Sequence, residues 1–567
     1  MSDLTPVVSV YDIPKDIRSE LAIYSLELQV MLYQRGIASK AAAEQFLSPN
    51  YDTELHDPLL LSGMVRACQR LEQAISAEEP MVIYSDYDCD GIPGAVVLHD
   101  FFTAIGVTHF SNYIPHRHYE GFGLSVAAVE KIAAQGAKVV ITVDCGTSDI
   151  AAVARANELG VDVIVTDHHE PGSELPTAVA VVNPKLGAYP FPDLCGAAVA
   201  FKLAQAMLQL GSYSVPAGQE KWWLDMVGLA TLADMVPLVG ENRVLAHYGL
   251  TVLRKSRRPG LQQLLRKAKV NQGYLTEDDV GFIIGPRINA ASRMDAPEQA
   301  FTLLATTDEV VAGAQVTALE KLNTERKSAV AQMTKELHGW IKGLHDIPPV
   351  LVHGSPAWRP SLVGLAANKL ATEYNRPVFL WGRDGNGVHK GSCRSGGGVS
   401  VVKLMQAASD SFSEHGGHHM AGGFSIHDEM VFNLAEALQS AHDTLGAASQ
   451  VATTHTIDAV VSLDAVWGQL RRDVAQLAPF GTGNPKPLFA FTKIAPTAVT
   501  TFGKSQEHLK LVFSTSQRDI EAIAFFAADA TFSREPAVGT PLTLLAHIEE
   551  SYFMGRQQTR LRIVDIV

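Results

Sequence analysis

The hexapeptide "DYDCDG", Asp86 to Gly91, carries three carboxylates at alternate positions, followed by a glycine. It begins like a calcium-binding EF-hand loop, which needs a bidentate Glu at its twelfth position and a helix on each side. Counted from Asp86, the twelfth residue is Val97, and the loop follows the apolar, strand-like "MVIYS" (81–85). The sequence therefore disfavours a calcium loop and places the carboxylates on a strand-to-helix turn, where α/β sheets hold their ligands. From this stretch alone a simple surface turn remains an alternative, because Asp and Gly both favour turns.

Strand-like and helix-like segments alternate from residue 79 to about residue 240. Strands are predicted for "MVIYS", "KVVITV", "VDVIVT" and "AVAVV", and helices for "SDIAAVARANELG" and "GAAVAFKLAQAMLQLG". This alternation is typical of a mostly parallel sheet covered by helices on both faces. The predicted fold class is therefore α/β.

The whole chain is predicted to have two α/β lobes joined by a long helix, with a β-barrel at its C-terminal end. The predicted parts are an N-terminal helical and linking segment (1–78), the first lobe (79–240), a helical connector (241–340), the second lobe (341–446) and an OB-like barrel (447–567). The long helix is predicted over residues 314–338, after a capping box in "TTDE" (306–309), and covers on the order of 40 Å. Alternating strands such as "HLKLVFS" (508–514) indicate the barrel.

The composition of the 567-residue chain is that of a globular protein of roughly three to four domains. We find no run of about 18 apolar residues and no secretory signal at the N-terminus, so no membrane segment or export is predicted. The five cysteines are odd in number and never form a CxxC pair, which favours a reducing, cytoplasmic location over disulfides or structural zinc.

Charge is unevenly distributed along the sequence. The net charge of −14 disfavours a nonspecific nucleic-acid coat, but residues 243–276 contain eight Lys or Arg and no Asp or Glu. Such a strip is either a solvated helix face or a surface permissive for a phosphate backbone.

Acidic residues and histidines follow three of the predicted strands. Asp144 follows "KVVITV", Asp167 to His169 follow "VDVIVT", and a further acid, Asp234, lies in the apolar "LATLADMVPLVG". The ends of parallel strands share one sheet edge, so these groups meet the carboxylates of the opening hexapeptide. A lone "DHH" is more typical of a strand-end turn, but three strand ends together with Asp234 favour a metal centre. Oxygen ligands with one or two imidazoles suit two Mn²⁺ or Mg²⁺ ions at a phosphoryl-transfer site.

On these motifs the sequence resembles the DHH phosphoesterases that carry a DHHA1 second domain. The first lobe has "DYDCDG", "VDCG", "DHH" and "LADMVPL", followed by "GPRINAASRM" (285–294) and "LNTERK" (322–327). The second lobe has "GSCRS" (391–395) and "GGHHMAGG" (416–423), and "APFGTGNPKPLF" (478–489) is similar to the start of an OB domain in this family. Departures from the usual family pattern include Cys89, Pro93, Ser292 and Ser361, and they leave every metal position filled.

The resemblance implies a ligand set for two ions, Mn²⁺ or Mg²⁺. The implied metal ligands are Asp86, Asp88 and Asp144 for one ion, and Asp90, Asp144, His168 and Asp234 for the other. Asp167, His168 and His169 are implied as catalytic residues, with His169 facing the scissile phosphate.

The resemblance also implies contacts to the substrate in both lobes. The implied contacts are Arg117, Arg287, Asn289 and Arg293 for phosphates, and Ser392, Arg394 and His418 for the 5′ end of a strand. From the residues alone, Arg117 could equally form a surface ion pair, and the second-lobe glycines could form a simple turn.

The implied function is a 5′→3′ exonuclease that degrades single-stranded DNA to mononucleotides in repair and recombination. The family implies a single-stranded-DNA-binding protein and a RecQ-type helicase as partners, and the protein is expected to be a monomer without membrane contact. One alternative is a phosphodiesterase for short oligonucleotides or cyclic dinucleotides. Another is a non-enzymatic scaffold, like the DHH-like subunit of the eukaryotic replication helicase, although such a role would not require the acidic cluster.

Overall fold

The computed structural model describes residues 9–10, 12–445, 456–503, 506–527, 532–553 and 556–567. The predicted boundary between the second lobe and the C-terminal domain, at residues 446 and 447, lies outside this part of the chain. Within it, no helix is long and apolar enough to cross a membrane. The five cysteines are all free and buried.

The N-terminal part divides between two hydrophobic cores. Its elements are β1 (Ser9–Val10), α1 (Lys15–Glu20), α2 (Leu26–Gln34), α3 (Lys40–Leu47), α4 (Tyr51–Glu54) and α5 (Met64–Ser76). Leu28 and Met31 of α2 pack into the core of the C-terminal domain, whereas Met64 and Leu71 of α5 belong to the core of the first lobe. Residues 21–43 of the predicted helical and linking segment therefore contribute to the core of a distant domain.

The first lobe is a parallel sheet covered on both faces, as its alternating sequence predicts. Its elements are β2 (Met81–Ser85), α6 (Gly91–Ala104), β3 (Phe110–Tyr113), α7 (Val126–Ala134), β4 (Val139–Val143), α8 (Ile150–Glu158), β5 (Asp162–Thr166), β6 (Ala180–Val182), α9 (Gly196–Leu210) and α10 (Leu224–Ala233). The strand order is β3-β2-β4-β5-β6, and every pair is parallel. Helices α5, α6 and α9 cover one face, and α7 and α8 cover the other. All residues of β2 and β4 are buried, which explains their continuous apolar sequences.

The connector is helical throughout. Its elements are α11 (Gly240–Leu253), α12 (Pro259–Ala268), α13 (Glu277–Asp279), a π-helical turn (Val280–Ile284), α14 (Gly285–Arg293), α15 (Pro297–Ala305) and α16 (Glu309–Lys342). Helix α16 contributes Val316 and Leu319 to the core of the first lobe, and Met333 and Leu337 to that of the second. The predicted long helix is confirmed, and it joins the lobes by packing into both.

The start of α16 differs from the predicted capping box. The N-cap is Asp308, whose Oδ1 accepts hydrogen bonds from Val310 N at 2.7 Å and Val311 N at 3.0 Å. Thr306 instead accepts a hydrogen bond from the Asp308 N–H. The predicted capping box was wrong because Asp and Thr are both favourable N-cap residues, and sequence spacing alone does not show which of them caps the helix.

The predicted basic strip is interrupted by burial. Arg243 is buried and donates to Phe46 O at 2.6 Å and Leu477 O at 3.1 Å, so it joins the N-terminal part, the connector and the C-terminal domain. Arg258 is paired with Asp225 and Asp100. The exposed cations of the strip are Arg254, Lys255, Arg257, Arg266, Lys267 and Lys269.

The second lobe is a mixed sheet. Its elements are β7 (Leu351–Gly354), α17 (Pro360–Tyr374), β8 (Val378–Arg383), β9 (His389–Arg394), α18 (Val401–Ala407), β10 (Phe412–Gly417), β11 (Ala421–Ile426) and α19 (Leu434–Leu445). The order is β10-β11-β9-β8-β7, with β7 and β8 parallel and the other pairs antiparallel.

The C-terminal domain is an open, OB-like sheet of seven strands. Its elements are β12 (Thr456–Ile457), β13 (Ala459–Val460), α20 (Gln469–Leu477), β14 (Phe489–Ile494), β15 (Ala498–Phe502), β16 (His508–Phe513), β17 (Ile520–Ala524), β18 (Leu542–Phe553) and β19 (Arg556–Ile566). The order is β13-β14-β18-β19-β17-β16-β15, while β12 pairs with β1. Leu511 and Phe513 of β16 are buried, as the alternation of that strand predicts.

Replacing Gly249 with Ala tests the close approach of α10 and α11. A Cβ at Gly249 would lie 2.4 Å from the Cα of Gly228, so the helices must separate. We expect urea denaturation to show a loss of about 1–3 kcal/mol in the free energy of unfolding, as for other overpacked cores. Gly339→Ala in α16 is the matched control, because no described atom lies within 4 Å of its Cβ position. It is expected to gain up to about 1 kcal/mol from helix propensity. Equal stabilisation by both changes would contradict the packing argument.

Candidate active site

Three strand ends bring acidic side chains to one edge of the first-lobe sheet. Asp86 follows β2, Asp144 follows β4 and Asp167 follows β5, and all three side chains are buried. Asp144 has a left-handed backbone with φ of +63°, which turns the chain sharply at the end of β4. A non-glycine residue in this region is unusual and is often found where surrounding structure holds a functional side chain.

Helix α9 approaches this edge through its first residues. The N–H groups of Gly196 and Ala197 each donate to a carboxylate oxygen of Asp90 at 2.7 Å. The positive end of the helix dipole thus stabilises the negative charge of Asp90. A Cβ at Gly196 would lie 2.5 Å from the Cβ of Asp144, so only glycine permits this approach.

The predicted metal ligands form overlapping groups. The ligand atoms of Asp86, Asp88 and Asp144 lie within 4.8 Å of one another, and so do those of Asp90, His168 and Asp234. His168 connects the two groups, because its Nε2 lies 3.1 Å from Asp144 Oδ1, 3.7 Å from Asp90 Oδ2 and 3.8 Å from Asp234 Oδ2. The structure therefore brings together all six of the residues predicted as ligands.

The electrostatics of this cluster fit divalent cations. Burial, with neighbouring carboxylates adding to it, raises the pKa of Asp86 and Asp144 well above their ordinary values, and raises the pKa of Asp234 to about 8. Asp86 Oδ1 and Asp144 Oδ1 are buried without a hydrogen-bond donor among the described residues. A bound cation would satisfy these two oxygens. A set of carboxylates with one imidazole suits Mn²⁺ or Mg²⁺.

Asp167 lies behind the cluster rather than in it. Its Oδ1 lies 2.7 Å from His169 Nδ1, and it accepts hydrogen bonds from the N–H groups of His168 at 2.7 Å and Thr147 at 2.9 Å. Despite its burial, the hydrogen bonds from His169 and Thr147 hold the pKa of Asp167 below its ordinary value. Burial would lower the pKa of His169, but the hydrogen bond and the charge of Asp167 outweigh it and raise that pKa above its ordinary value. Asp167 therefore orients His169 and does not reach the open side of the site.

A cavity of about 230 Å³ opens on the cluster. Arg117, Asn289 and Arg293 line it beside the metal-ligand candidates, as predicted. The Arg117 guanidinium lies 4.8 Å from the ring centroid of Tyr87, and burial, with Arg117 nearby, lowers the pKa of Arg293 to about 9. This places two guanidinium groups where a phosphate would meet the acidic residues.

Arg287 does not line this cavity, in contrast to its predicted phosphate contact. Its Nε lies 2.5 Å from Glu320 Oε1 on α16, and its Nη1 donates to Ile283 O at 2.8 Å. Arg287 precedes Asn289 by two residues on α14, and side chains two positions apart point to different faces of a helix. Arg287 thus anchors α14 to α16.

A larger cavity, of about 740 Å³, lies between the two lobes. It shares Tyr87, Arg117 and Phe122 with the smaller cavity and extends to Ser392 on β9. Arg394 Nη1 donates to Ser392 Oγ at 2.9 Å, so these two predicted residues form one unit. The cavity therefore connects the acidic cluster to the second lobe.

His418 does not line the cavity between the lobes. It is exposed in the turn between β10 and β11, where its N–H donates to Ala421 O at 2.8 Å. His415, which lies on β10, lines this cavity. The hairpin pattern of "EHGGHHMAGG" carried this signal, because the residues between two short strands form the turn.

Tyr87 and Phe122 were missed as site residues. Tyr87 lies inside "DYDCDG", between two acids, and Phe122 lies in "EGFGLS" beside the glycines of a loop. The Phe122 ring packs edge-on against His169 at 5.2 Å between centroids. An aromatic residue flanked by glycines or acids in a predicted ligand loop was the available signal.

Comparison with known proteins identifies the domains that carry most of the site residues. Residues 80–231 match the "DHH family, N-terminal domain", residues 348–447 the "DHHA1 domain" and residues 457–565 the "RecJ OB domain". The chain is 32% identical to the single-stranded-DNA-specific exonuclease RecJ of Bacillus subtilis, over 94% of this chain and 67% of that protein. It is also 32% identical to RecJ of Dickeya dadantii, over 82% of each chain. The chain belongs to the RecJ family.

Solved RecJ structures share the fold. The crystal structure of Thermus thermophilus RecJ in complex with Mn²⁺ superposes with a TM-score of 0.81 at 26% identity, covering 99% of this chain and 79% of that one. The Mg²⁺ complex from the same organism gives a TM-score of 0.75 at 26% identity, with coverage of 99% and 78%. Membership of the RecJ family and the acidic cluster agree on Mn²⁺ or Mg²⁺ as the cofactor.

Asp144→Asn is expected to abolish stabilisation by Mn²⁺ without unfolding the metal-free protein. Removing one of several crowded carboxylates relieves repulsion, so the melting temperature in EDTA should stay equal or rise. Wild-type protein should gain about 2.7 kcal/mol at a hundredfold excess of Mn²⁺ over its dissociation constant. Differential scanning calorimetry with and without Mn²⁺ measures both effects.

Asp225→Asn is the matched control for this experiment. Asp225 is equally buried in the first lobe but is paired with Arg258 at 2.8 Å. Its loss should lower the melting temperature in EDTA while leaving the Mn²⁺ increment unchanged. A full Mn²⁺ increment in Asp144→Asn would rule out this carboxylate as a ligand.

Proposed function

We propose that this chain is a metal-dependent exonuclease that hydrolyses phosphodiester bonds of single-stranded DNA in the 5′→3′ direction, releasing mononucleotides. The observation that carries the proposal is the acidic cluster with its unsatisfied oxygens, facing a cavity that continues between the lobes. Relatives of this family are named single-stranded-DNA-specific exonucleases. The proposal accounts for the catalytic cluster and for a second lobe that a small diester would not need.

The metal ligands proposed are the six residues that the fold collects. The first ion would be held by Asp86, Asp88 and Asp144, and the second by Asp90, Asp144, His168 and Asp234. When bound, two such ions supply Lewis-acid stabilisation of the charge that develops at phosphorus and lower the pKa of a coordinated water. The backbone N–H groups at the start of α9 hold the Asp90 carboxylate in place for this role, and they partly offset the burial that raises its pKa.

His169 is proposed to face the scissile phosphate. Because its Nδ1 is held by Asp167, its Nε2 is the ring nitrogen left to face the substrate. The raised pKa of His169 favours the protonated ring, which can donate to a phosphoryl oxygen. Arg117, Arg293 and Asn289 would hold the other phosphate oxygens, and planar guanidinium groups suit this task.

The second lobe is proposed to hold the 5′ end of the strand. Ser392 lines the cavity between the lobes, and Arg394, which donates to its Oγ, would supply a guanidinium beside it. The glycines at 391 and 416 leave room for an anion near the backbone. His415 is proposed here in place of His418. With the end held in one lobe and the hydrolysed bond in the other, cleavage near that end yields short products.

The wider setting of the proposal rests on the family. We propose a role in DNA repair and recombination, with a single-stranded-DNA-binding protein and a RecQ-type helicase as partners. We also propose that the protein is a monomer. A cytoplasmic location is consistent with its five free, buried cysteines.

Digestion of an end-labelled 50-mer tests the function directly. With Mn²⁺, the 5′ label should appear first as a mononucleotide, and duplex DNA should be a poor substrate. His169→Gln should lower the initial rate about 10²–10³-fold, because a donor to the transition-state oxygen is lost. Its Mn²⁺-dependent melting shift should survive.

His345→Gln is the control, since His345 is exposed beyond the end of α16 and should leave the rate unchanged. Equal release from both ends would refute the proposed direction. Faster turnover of a dinucleotide than of the 50-mer would instead favour a phosphodiesterase for small substrates.

Arg394→Gln tests the proposed 5′-end site. Losing one charged hydrogen bond is expected to raise KM about tenfold for a 5′-phosphorylated strand, with little change in kcat. The 5′-hydroxyl strand should be affected less, because it lacks the anion. Steady-state kinetics with both strands measures the difference. The control is Arg383→Gln on neighbouring β8, whose exposed side chain donates to Gly387 O. Equal effects on both strands would argue against a phosphate contact.

A further inference from the structure

Asp295 lies just after α14 and has a left-handed backbone, with φ of +72°. This residue follows the C-cap of α14, a position where a left-handed backbone commonly ends a helix, and Ala296 N donates to Ala291 O at 2.8 Å across it. The helix ending leaves the Asp295 side chain 38% exposed and directed away from the helix core.

The Asp295 carboxylate joins the two lobes. Its Oδ1 lies 3.1 Å from His118 Nε2 and 3.9 Å from His116 Nε2, both in the loop after β3 of the first lobe. Its Oδ2 lies 2.6 Å from Nη1 of Arg359, the N-cap residue of α17 in the second lobe. One side chain therefore contacts three cationic or titratable groups from two lobes.

On the first-lobe side, the loop of residues 116–123 carries site residues. Arg117 lies between the two histidines that face Asp295, and Phe122 packs against His169. The far end of the loop is fixed separately, because Asp149 accepts from Leu124 N at 2.6 Å. Holding His118 thus sets the position of the Arg117 guanidinium over the cavity.

On the second-lobe side, the contact of Asp295 with Arg359 adjoins the cavity between the lobes. Ser361, two residues after Arg359, lines that cavity and donates its Oγ to Arg293 O at 3.0 Å. Arg293 in turn donates from Nη1 to Ser361 O. The segment from Arg293 to Asp295 is therefore the direct link between the acidic cluster and the start of α17.

The same loop makes a second contact with the other lobe. The Tyr119 ring covers Gly385, where a Cβ would lie 2.4 Å from Tyr119 Cε1, and Asn386 Nδ2 donates to Tyr119 O at 3.3 Å. The cleft is therefore bounded by two connections between the lobes. One is helix α16, and the other is formed by these contacts of the loop.

A metal site at Asp295 does not fit the geometry. The atoms of His116, His118 and Asp295 are not among the groups within ligand distance of one another in the described chain. The second carboxylate oxygen is already paired with Arg359. The contacts of Asp295 therefore fit an ion pair that fixes the positions of its neighbours.

We propose that Asp295 is a positioning residue that sets the separation of the two lobes, and with it the placement of Arg117 relative to the 5′-end site. This inference rests on the proposed exonuclease function. Because the scissile bond and the strand end are held by different lobes, an error of about 1 Å in their separation misplaces the phosphate and can cost up to about 10²-fold in rate.

The test measures the lobe separation and the rate in the same variants. Asn tolerates the left-handed backbone but lacks the charge, so Asp295→Asn removes the ion pairs with little change in the fold. Arg359→Gln removes the partner, and Arg359→Lys keeps a cation able to make the single observed contact. Exposed Gln135 and Glu436, replaced by cysteine and spin-labelled, report the distance between α7 and α19, since the native cysteines are buried.

Asp295→Asn and Arg359→Gln are each expected to broaden the distance distribution and to lower kcat on a 5′-phosphorylated 50-mer about tenfold. The double variant should be no slower than either single variant, because residues in contact are not additive. Arg359→Lys should restore most of the rate. The Mn²⁺-dependent melting shift should equal that of the wild type in every variant, showing an intact acidic cluster.

The control is Asp346→Asn, which removes a carboxylate paired with exposed His345 at 2.8 Å. It should change neither distance nor rate. An unchanged distance distribution in Asp295→Asn, or a broadened one with a wild-type kcat, overturns the positioning role while leaving the exonuclease intact. A wild-type protein that does not degrade the 50-mer with Mn²⁺ overturns the proposed function, and this inference with it.

Discussion

Crowding of buried carboxylates at one sheet edge is the constraint on which the rest of the molecule depends. Asp86, Asp90 and Asp144 are each at least nine-tenths buried, and their mutual repulsion opposes folding unless cations share the space. The parallel sheet makes the crowding unavoidable, because all its strands end at the same edge. Stability and chemistry are therefore set by the same few side chains, so this part of the protein tolerates little change.

The surroundings of the cluster compensate for that repulsion in different ways. Two N-terminal amides of α9 donate to Asp90. Asp167 accepts from the backbone N–H groups of Thr147, His168 and His169 and also faces His169 Nδ1. Asp86 and Asp144 each retain one oxygen without a hydrogen-bond donor among the described residues. The backbone N–H groups that face each carboxylate therefore decide how much of its charge is left for a cation to balance.

The meeting of acidic residues at one sheet edge could be predicted from topology, whereas their assignment to two ions came from the family resemblance. Alternating strands and helices imply a parallel sheet, and the sheet places Asp86, Asp144 and His168 together whatever the details of packing. Arg287 and His418 do not line the two cavities, because the direction of each side chain depends on the helix face or on where a hairpin turns, and one residue of shift reverses it. The contacts of Asp295 were outside prediction, since they join segments of both lobes through a backbone conformation that no local pattern of the sequence indicates.

The long helix α16 has a consequence for how the protein can vary in length. Its first half packs in one lobe and its last turns in the other, while Thr324, Glu325, Lys327 and Ser328 between them are exposed. One inserted residue there would rotate the second lobe by about 100° and shift it by about 1.5 Å. An insertion of seven residues, close to two helical turns, would restore the orientation of the second lobe but move it by about 10 Å, which would separate Arg359 from Asp295. The length of α16 therefore fixes both the spacing and the relative orientation of the two lobes.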